Sequence, residues 1–194
     1  MTRTLSDLLA VLPRQRILVL GDVILDEYII GRSPRISAEA PVPVVRFSGS
    51  RAVLGGAANT AHNVAALGGQ VTLIGLVNDR DDAGRAVRDL CGDAGIRLLG
   101  VSDARSTTRK VRVMSNRQQI VRLDYERDDD IDEATAAQAF TIFDREVANA
   151  DVVVLSDYAK GLLTRSLAQR IHKYRRRIEH RFATGWRRWG RVSL

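Results

Sequence analysis

The stretch "GGAANTAHNVAALGG", residues 55–69, decides how this chain is read. Two glycines open it and two close it, and between them Ala57, Ala61, Val64, Ala65 and Leu67 recur at the spacing of one buried helical face. Glycine disfavours a helix interior. A pair of glycines directly before a small-residue run therefore marks backbone that must approach something closely, with N–H groups pointing outward at a helix start. On either side lie "RILVL" (16–20), which ends at Gly21-Asp22, and "QVTLIGLV" (70–77). Both read as buried parallel strands.

Further out the alternation continues. "DDAGRAVRDLCGDAG" (81–95) predicts a helix with Val87, Leu90 and Cys91 on one side and stop signals at Gly92 and Gly95. "IRLLGV" (96–101) predicts a strand, and residues 132–149 a long helix with Ile131 and Asp132 at its start. "DVVVLSDYAKG" (151–161) predicts a buried strand running into a polar turn, and residues 164–177 a helix from Thr164. Strands alternating with helices imply a parallel α/β sheet with right-handed crossovers. Two stretches break the rhythm. Residues 23–50 hold three of the four prolines among β-branched residues, which suits edge strands and turns. "TRKVRVMS" and "QQIVRLDYE" alternate apolar and charged residues, as an antiparallel pair joined near Asn116-Arg117 would. Segments 26–48 and 107–125 are thus expected to form a small β lid over the main sheet.

The formal charge of +7 invites a nucleic-acid reading, but its distribution argues against one. Residues 165–194 hold ten Arg or Lys and one acid, leaving 20 basic and 22 acidic residues, net −2, in 1–164. No apolar run approaches the roughly 18 residues a membrane span needs. The first sixteen residues carry Asp7 inside their apolar stretch and lack a small-residue cleavage site, so they read as a short helix and not as a signal peptide. The single cysteine, Cys91, excludes an internal disulfide and fits a reducing cytoplasm; it reads as a small buried hydrophobe.

Two phosphate-binding patterns, G-x-x-x-x-G-K-[ST] and a G-x-G-x-x-G after a strand, do not occur. His62, His172 and His180 are scattered, without metal-ligand spacing. Gly21-Asp22-Val23-Ile24-Leu25-Asp26 sets two carboxylates just past the first strand, where ligands of open α/β sheets sit. Asp22 serves well as a turn residue; Asp26, after three apolar residues, serves less well. Asn59 can donate to and accept from a hydroxyl, although a glycine pair used only for packing explains G-G-x-x-N about as well.

In this order and spacing, "GDVILDEY", "RISAEAPVPVV", "GGAANTAHNVAALGG", "RKVRV", "QQIVRLDYE" and "SDYAKG" resemble the ribokinase-like (PfkB) carbohydrate kinases, from about Arg16 to about Tyr174. Within that family they look most like the branch acting on heptose 7-phosphate. The resemblance implies a ribokinase-like α/β sandwich with a β lid. It also implies ATP- and Mg²⁺-dependent phosphorylation of D-glycero-β-D-manno-heptose 7-phosphate at O1 in ADP-heptose and lipopolysaccharide-core synthesis. Asp26, Gly55, Gly56 and Asn59 fall on its sugar-binding positions. Arg112 and Arg122 on the lid, and more weakly Lys160, are candidate phosphate contacts, with a solvated strand face the blander reading of the arginines. The lid implies a homodimer.

Three departures stand out. Asn78 occupies a place where the family has glycine, and Asn tolerates left-handed backbone. Arg109 replaces a small hydroxyl residue before Lys110. The Gly-Ala-Gly-Asp helix start that carries the family's catalytic base is absent from the sequence, so no catalytic residue is assigned and the base is expected in a missing C-terminal part. No apolar strand is legible after Tyr174, and 27 of the 30 basic residues are Arg. Residues 1–174 are therefore expected to be the N-terminal part of a kinase domain truncated at its C-terminus. Residues 175–194 are expected to be a basic tail foreign to the fold, as a shifted frame in a GC-rich gene would produce. Three functions stay open: a sugar-phosphate kinase, this one or another of the family; a fragment that binds sugar phosphate or dimerises without turnover; and a nucleic-acid-binding tail with Trp186 and Trp189 for stacking.

Overall fold

The computed structural model describes residues 10–175 and 181–185. After a short 3₁₀ turn at Leu12–Arg14, strand β1 (Arg16–Gly21) runs down the middle of a five-stranded parallel sheet. Its order is β5 (Arg97–Val101), β4 (Gln70–Leu76), β1, β8 (Val152–Ser156) and β9 (Arg181–Gly185). Successive side chains of β1 point to opposite faces, and each face meets its own core. Leu18 and Leu20 pack with Ile74, Val153 and Leu155 against Phe143, Leu167 and Ile171. These three come from helices α3 (Glu133–Val147) and α4 (Arg165–Arg175). Ile17 and Val19 pack with Val71 and Leu73 against Ala57, Ala58, Ala61, Val87 and Cys91, which belong to α1 (Gly56–Ala66) and α2 (Asp82–Asp93). Burial pushes the Cys91 thiol up to about 11, against a smaller opposite pull from Arg88. It is a packing residue.

The helices start where their caps are. The Asp81 and Asp132 side chains accept from Gly84 N at 2.6 Å and Thr135 N at 2.7 Å, and Thr164 Oγ1 accepts from Leu167 N at 3.1 Å. Helix α1 is capped differently. Gly56 has φ +56°, a left-handed conformation, and a Cβ there would run into the Asp22 carbonyl oxygen. That same oxygen accepts from Ala57 N at 2.9 Å, so the helix start is fastened to the end of β1. Leu67, expected on the buried face, is 54% exposed because the helix has ended before it.

The lid is a separate four-stranded sheet, ordered β3 (Pro43–Gly55), β2 (Val23–Ile36), β6 (Arg109–Ser115), β7 (Gln118–Tyr125). The outer pairs are antiparallel and β2 with β6 is parallel. Its strands reach further than the expected 26–48, because buried Val23, Ile24, Leu25 and Leu54 continue them down into the domain. Asn116 and Arg117, at φ 48° and 69°, form the two-residue turn between β6 and β7.

The sheet departs from the sequence expectation at one edge. Arg181–Gly185 pairs in parallel with Val152–Ser156, so a strand does follow Tyr174. Five residues, "RFATG", are too few and too mixed to read as an apolar run, and a ladder is made by main-chain groups whatever the side chains. The remainder of the expected tail, with Trp186, Trp189 and His180, lies outside the described residues, as does the N-terminal segment 1–9. Asn78 needs no left-handed backbone either: the non-glycine residues with positive φ among those described are Asn116, Arg117 and Ala159. Its side chain instead donates to Arg105 O at 3.1 Å and accepts from Arg80 N at 2.9 Å.

Replacing Gly56 by Ala combines a left-handed φ with a steric block. The G56A chain is expected to lose about 1–3 kcal/mol of stability, which a thermal melt reads as about 2–4 °C for each kcal/mol.

Candidate functional site

The loops that leave the carboxyl ends of β1, β4, β5 and β8 converge under the lid, at the end of a parallel sheet where ligands bind. Asp22, only 2% exposed, organises them. Its Oδ2 accepts from Tyr158 N at 2.8 Å and Lys160 N at 3.1 Å, and its Oδ1 from Leu162 N at 3.2 Å. One buried carboxylate thereby fixes the 157–162 loop, in which Ala159 and Gly161 have φ of 56° and 90°. Arg105, paired with Asp103 at 2.5 Å, braces the same loop by donating to Lys160 O at 3.4 Å and ties it to the segment before α3 by donating to Asp129 O at 3.0 Å. The sequence reading took Asp22 for a turn residue. No local pattern reveals that its partners lie more than a hundred positions away.

Asp26 lies on the lid strand β2, and its Oδ1 accepts from Arg112 Nη1 at 2.5 Å. Gly55 lies diagonally across on β3, opposite Ile24: a Cβ on it would come within 2.5 Å of Asp26 Oδ2. The space that glycine leaves is therefore occupied by the protein's own carboxylate, while Gly56 serves the backbone geometry of the helix start. Asn59 is on the exposed side of α1, and its side chain makes no hydrogen bond among the described residues.

The candidate phosphate contacts are each tied to an acid. Arg112 holds Asp26; Arg122 Nε donates to Asp124 at 2.8 Å; Lys160 Nζ meets Glu126 at 2.8 Å. Lys110 joins the last two pairs, at 3.1 Å from Asp124 and 2.6 Å from Glu126. A chain of alternating charge thus runs from the lid to the 157–162 loop. Lys110, Asp124 and Glu126 were not singled out from the sequence, although Lys110 and Asp124 face each other across β6 and β7. Arg109, on the opposite face, lies 3.6 Å from Glu27 and stacks over Tyr125 at 4.3 Å.

Partial burial raises the Asp124 and Glu126 carboxyls, but the hydrogen bonds outweigh it. Arg122 and Lys110 hold Asp124 below its ordinary 3.8, and Lys110 and Lys160 hold Glu126 below its ordinary 4.5. A group whose folded pKa is depressed contributes fully above its unfolded value and loses that contribution as pH falls through the folded one. Among the described residues no group of three His, Cys, Asp or Glu lies together. They do not by themselves fit the Mg²⁺ that the resemblance implies, and no step is routed through it. No described helix is long and apolar enough to cross a membrane.

A parallel sheet with helices on both faces and a separate β lid is a ribokinase-like α/β architecture. The chain belongs to the pfkB family of carbohydrate kinases, whose family model matches residues 14–186. It is 51% identical over 166 residues to the bifunctional protein HldE of Caulobacter vibrioides, covering 82% of this chain and 34% of that protein. It is 49% identical over 156 residues to the D-beta-D-heptose 7-phosphate kinase of Bordetella bronchiseptica, covering 78% of this chain and 48% of that one. The chain thus spans a third to a half of the length of these relatives. The fold is shared with phosphofructokinase-2 from Escherichia coli in complex with fructose-6-phosphate. That match has a TM-score of 0.65 at 18% identity and covers 88% of this chain and 54% of the other.

Two outcomes follow from the geometry. Asp22→Ala leaves three N–H groups without their acceptor and is expected to cost about 3 kcal/mol or more, read by chemical denaturation. In a carbon-detected NMR titration, Lys160→Met is expected to move the Glu126 carboxyl back up toward 4.5. The Asp124 carboxyl should move less, because Lys160 is not among its partners.

Proposed function

We propose that residues 10–175 and 181–185 form the acceptor-binding part of a kinase that phosphorylates a sugar phosphate. The substrate read here is D-glycero-β-D-manno-heptose 7-phosphate, converted at O1 to the 1,7-bisphosphate for ADP-heptose synthesis in the cytoplasm. One observation carries the reading: Asp26, held by Arg112 over the Cβ-less Gly55, is a carboxylate fixed at the mouth of the lid beside the start of α1. A carboxylate so held accepts hydrogen bonds from sugar hydroxyls, and Asn59 is free to add a donor and an acceptor. The name of the Bordetella bronchiseptica relative, a heptose 7-phosphate kinase, supports the choice of sugar. ATP is the phosphoryl donor this reading implies, with a divalent ion to offset its charge.

The division of labour follows from the sequence. The base that removes the proton from the attacking hydroxyl belongs, by resemblance, to a Gly-Ala-Gly-Asp helix start that these 194 residues do not contain. Their share of the reaction is binding and orienting the acceptor, and phosphoryl transfer is proposed for a protein that carries that motif as well. Binding without turnover is the second reading, favoured by the same missing motif. Calorimetry with heptose 7-phosphate, together with ADP release in the presence of ATP, separates the two. In either case Asp26→Ala is expected to weaken sugar-phosphate binding by about tenfold or more, and unchanged binding in that variant sinks the site assignment.

The lid is also proposed to join two copies of the chain. Val121, Leu123 and Tyr125 alternate along β7 on the face away from Asp26, and they are 45%, 45% and 48% exposed. Leu123→Asp is expected to convert a dimer to a monomer in light scattering, leaving the melting temperature near that of the parent.

A further inference from the structure

The face of the lid that carries Asp26 has a second row of side chains, two residues further out. Arg51 on β3 lies opposite Tyr28 on β2, Tyr28 opposite Arg112 on β6, and Arg112 opposite Arg122 on β7. Three arginines and a tyrosine thus cross the four strands in one line. The guanidinium of Arg51 sits 4.7 Å from the Tyr28 ring centre and that of Arg112 5.5 Å. Like charges set directly across a sheet are destabilising, and the row nearer the domain offsets them unevenly. Val53, Asp26, Lys110 and Asp124 stand there in register. Asp26 neutralises Arg112, and Asp124 is shared between Arg122 and Lys110. Arg51 has Val53 on one side and Gly49 on the other. It is exposed, and it makes no ion pair among the described residues.

From this we infer that Arg51 and Arg112, which both lie against the Tyr28 ring and come from the strands flanking β2, form the subsite for the phosphate ester of the acceptor, and that Arg51 determines the preference for a phosphorylated sugar. This rests on the sugar-phosphate reading above and assigns the phosphate to residues different from Arg122 and Lys160. Arg112 uses Nη1 on Asp26, and a guanidinium has five N–H donors in a planar fork. The rest of the fork is available to an anion. Arg112 therefore touches both ends of the ligand, fixing the carboxylate that receives the sugar hydroxyl and meeting the phosphate itself. Arg51 contributes a full charge with no competing carboxylate, and stacking on Tyr28 fixes its fork before the ligand arrives. The spacing agrees. Two residues along a strand is about 7 Å, of the order of the separation between a ring hydroxyl and the terminal phosphorus of a six- or seven-carbon sugar phosphate. The face is open on the far side too: no heavy atom lies within 4 Å of where a Cβ of Gly49 would stand.

The test compares two ligands on the full chain by calorimetry: D-glycero-D-manno-heptose 7-phosphate and the same heptose without its phosphate. The parent chain is expected to favour the phosphorylated sugar. Arg51→Gln is expected to lower its affinity for that sugar by about tenfold while leaving the unphosphorylated heptose unchanged. Arg51→Lys should recover part of the loss, since it restores the charge without the fork. Inorganic phosphate should compete with heptose 7-phosphate in the parent and lose that ability in Arg51→Gln. Equal binding of the two sugars by the parent chain overturns this inference alone, as does an Arg51→Gln chain that keeps the parent's preference. A parent chain that binds neither sugar overturns both this inference and the reading it rests on.

Discussion

The floor of the candidate site is organised by one buried carboxylate. Asp22 stands alone between β1 and β2, and its side chain gathers three main-chain N–H groups from a loop far away in sequence. Its own carbonyl receives Ala57 at the start of α1. Four chain segments, β1, β2, α1 and the 157–162 loop, are thus registered against one residue. A carboxylate accepting only from backbone groups is satisfied without a side-chain cation. The arginines and lysines nearby remain for the lid, where they meet Asp26, Asp124 and Glu126.

The two glycines that open α1 divide their tasks. Gly56 takes a backbone conformation that other residues rarely adopt, so that the helix can start against the Asp22 carbonyl. Gly55 keeps room for Asp26, whose second carboxylate oxygen fills the place of a side chain. Closeness of this kind fixes the carboxylate by shape as well as by its ion pair with Arg112. The same segment then turns small residues inward: Ala57, Ala58 and Ala61 are fully buried, which lets α1 lie close on the sheet.

Much of the fold was legible because it is written in local periodicity. The apolar runs of β1, β4 and β8 and the caps of α2 and α3 are short-range signals, and the two-residue turn at Asn116-Arg117 lies where the alternating strands meet. What escaped was long-range. The short strand β9 is defined by an open main-chain edge on β8, not by its own composition. Asp22 looks like any residue at the end of a strand until the loop that it holds is in place. Of the candidate site, the sequence named three residues that the structure brings into contact, Asp26, Gly55 and Arg112. Arg122 and Lys160 proved to be members of a charge network: Asp124 and Glu126 stand beside Arg122 in one motif, but Lys110 and Lys160 reach them from other segments, which spacing along the chain does not reveal. Tyr28 and Arg51 were invisible because cross-strand register is settled by pairing and not by spacing along the chain.

The lid's pairing scheme has a consequence for how the chain reaches its native state. Its two hairpins, β2 with β3 and β6 with β7, are local and close early, as hairpins do in microseconds. They are joined to each other by the parallel pairing of β2 with β6. At the outer end of that pairing Ser33 N donates to Ser115 Oγ, 82 positions away. Between them in sequence lie α1, β4, α2 and β5, so joining the two halves closes a loop of that length. Contacts of such separation are entropically costly and form late. The row of arginines beside Tyr28 is therefore the part of the lid whose assembly carries the greatest loop-closure cost.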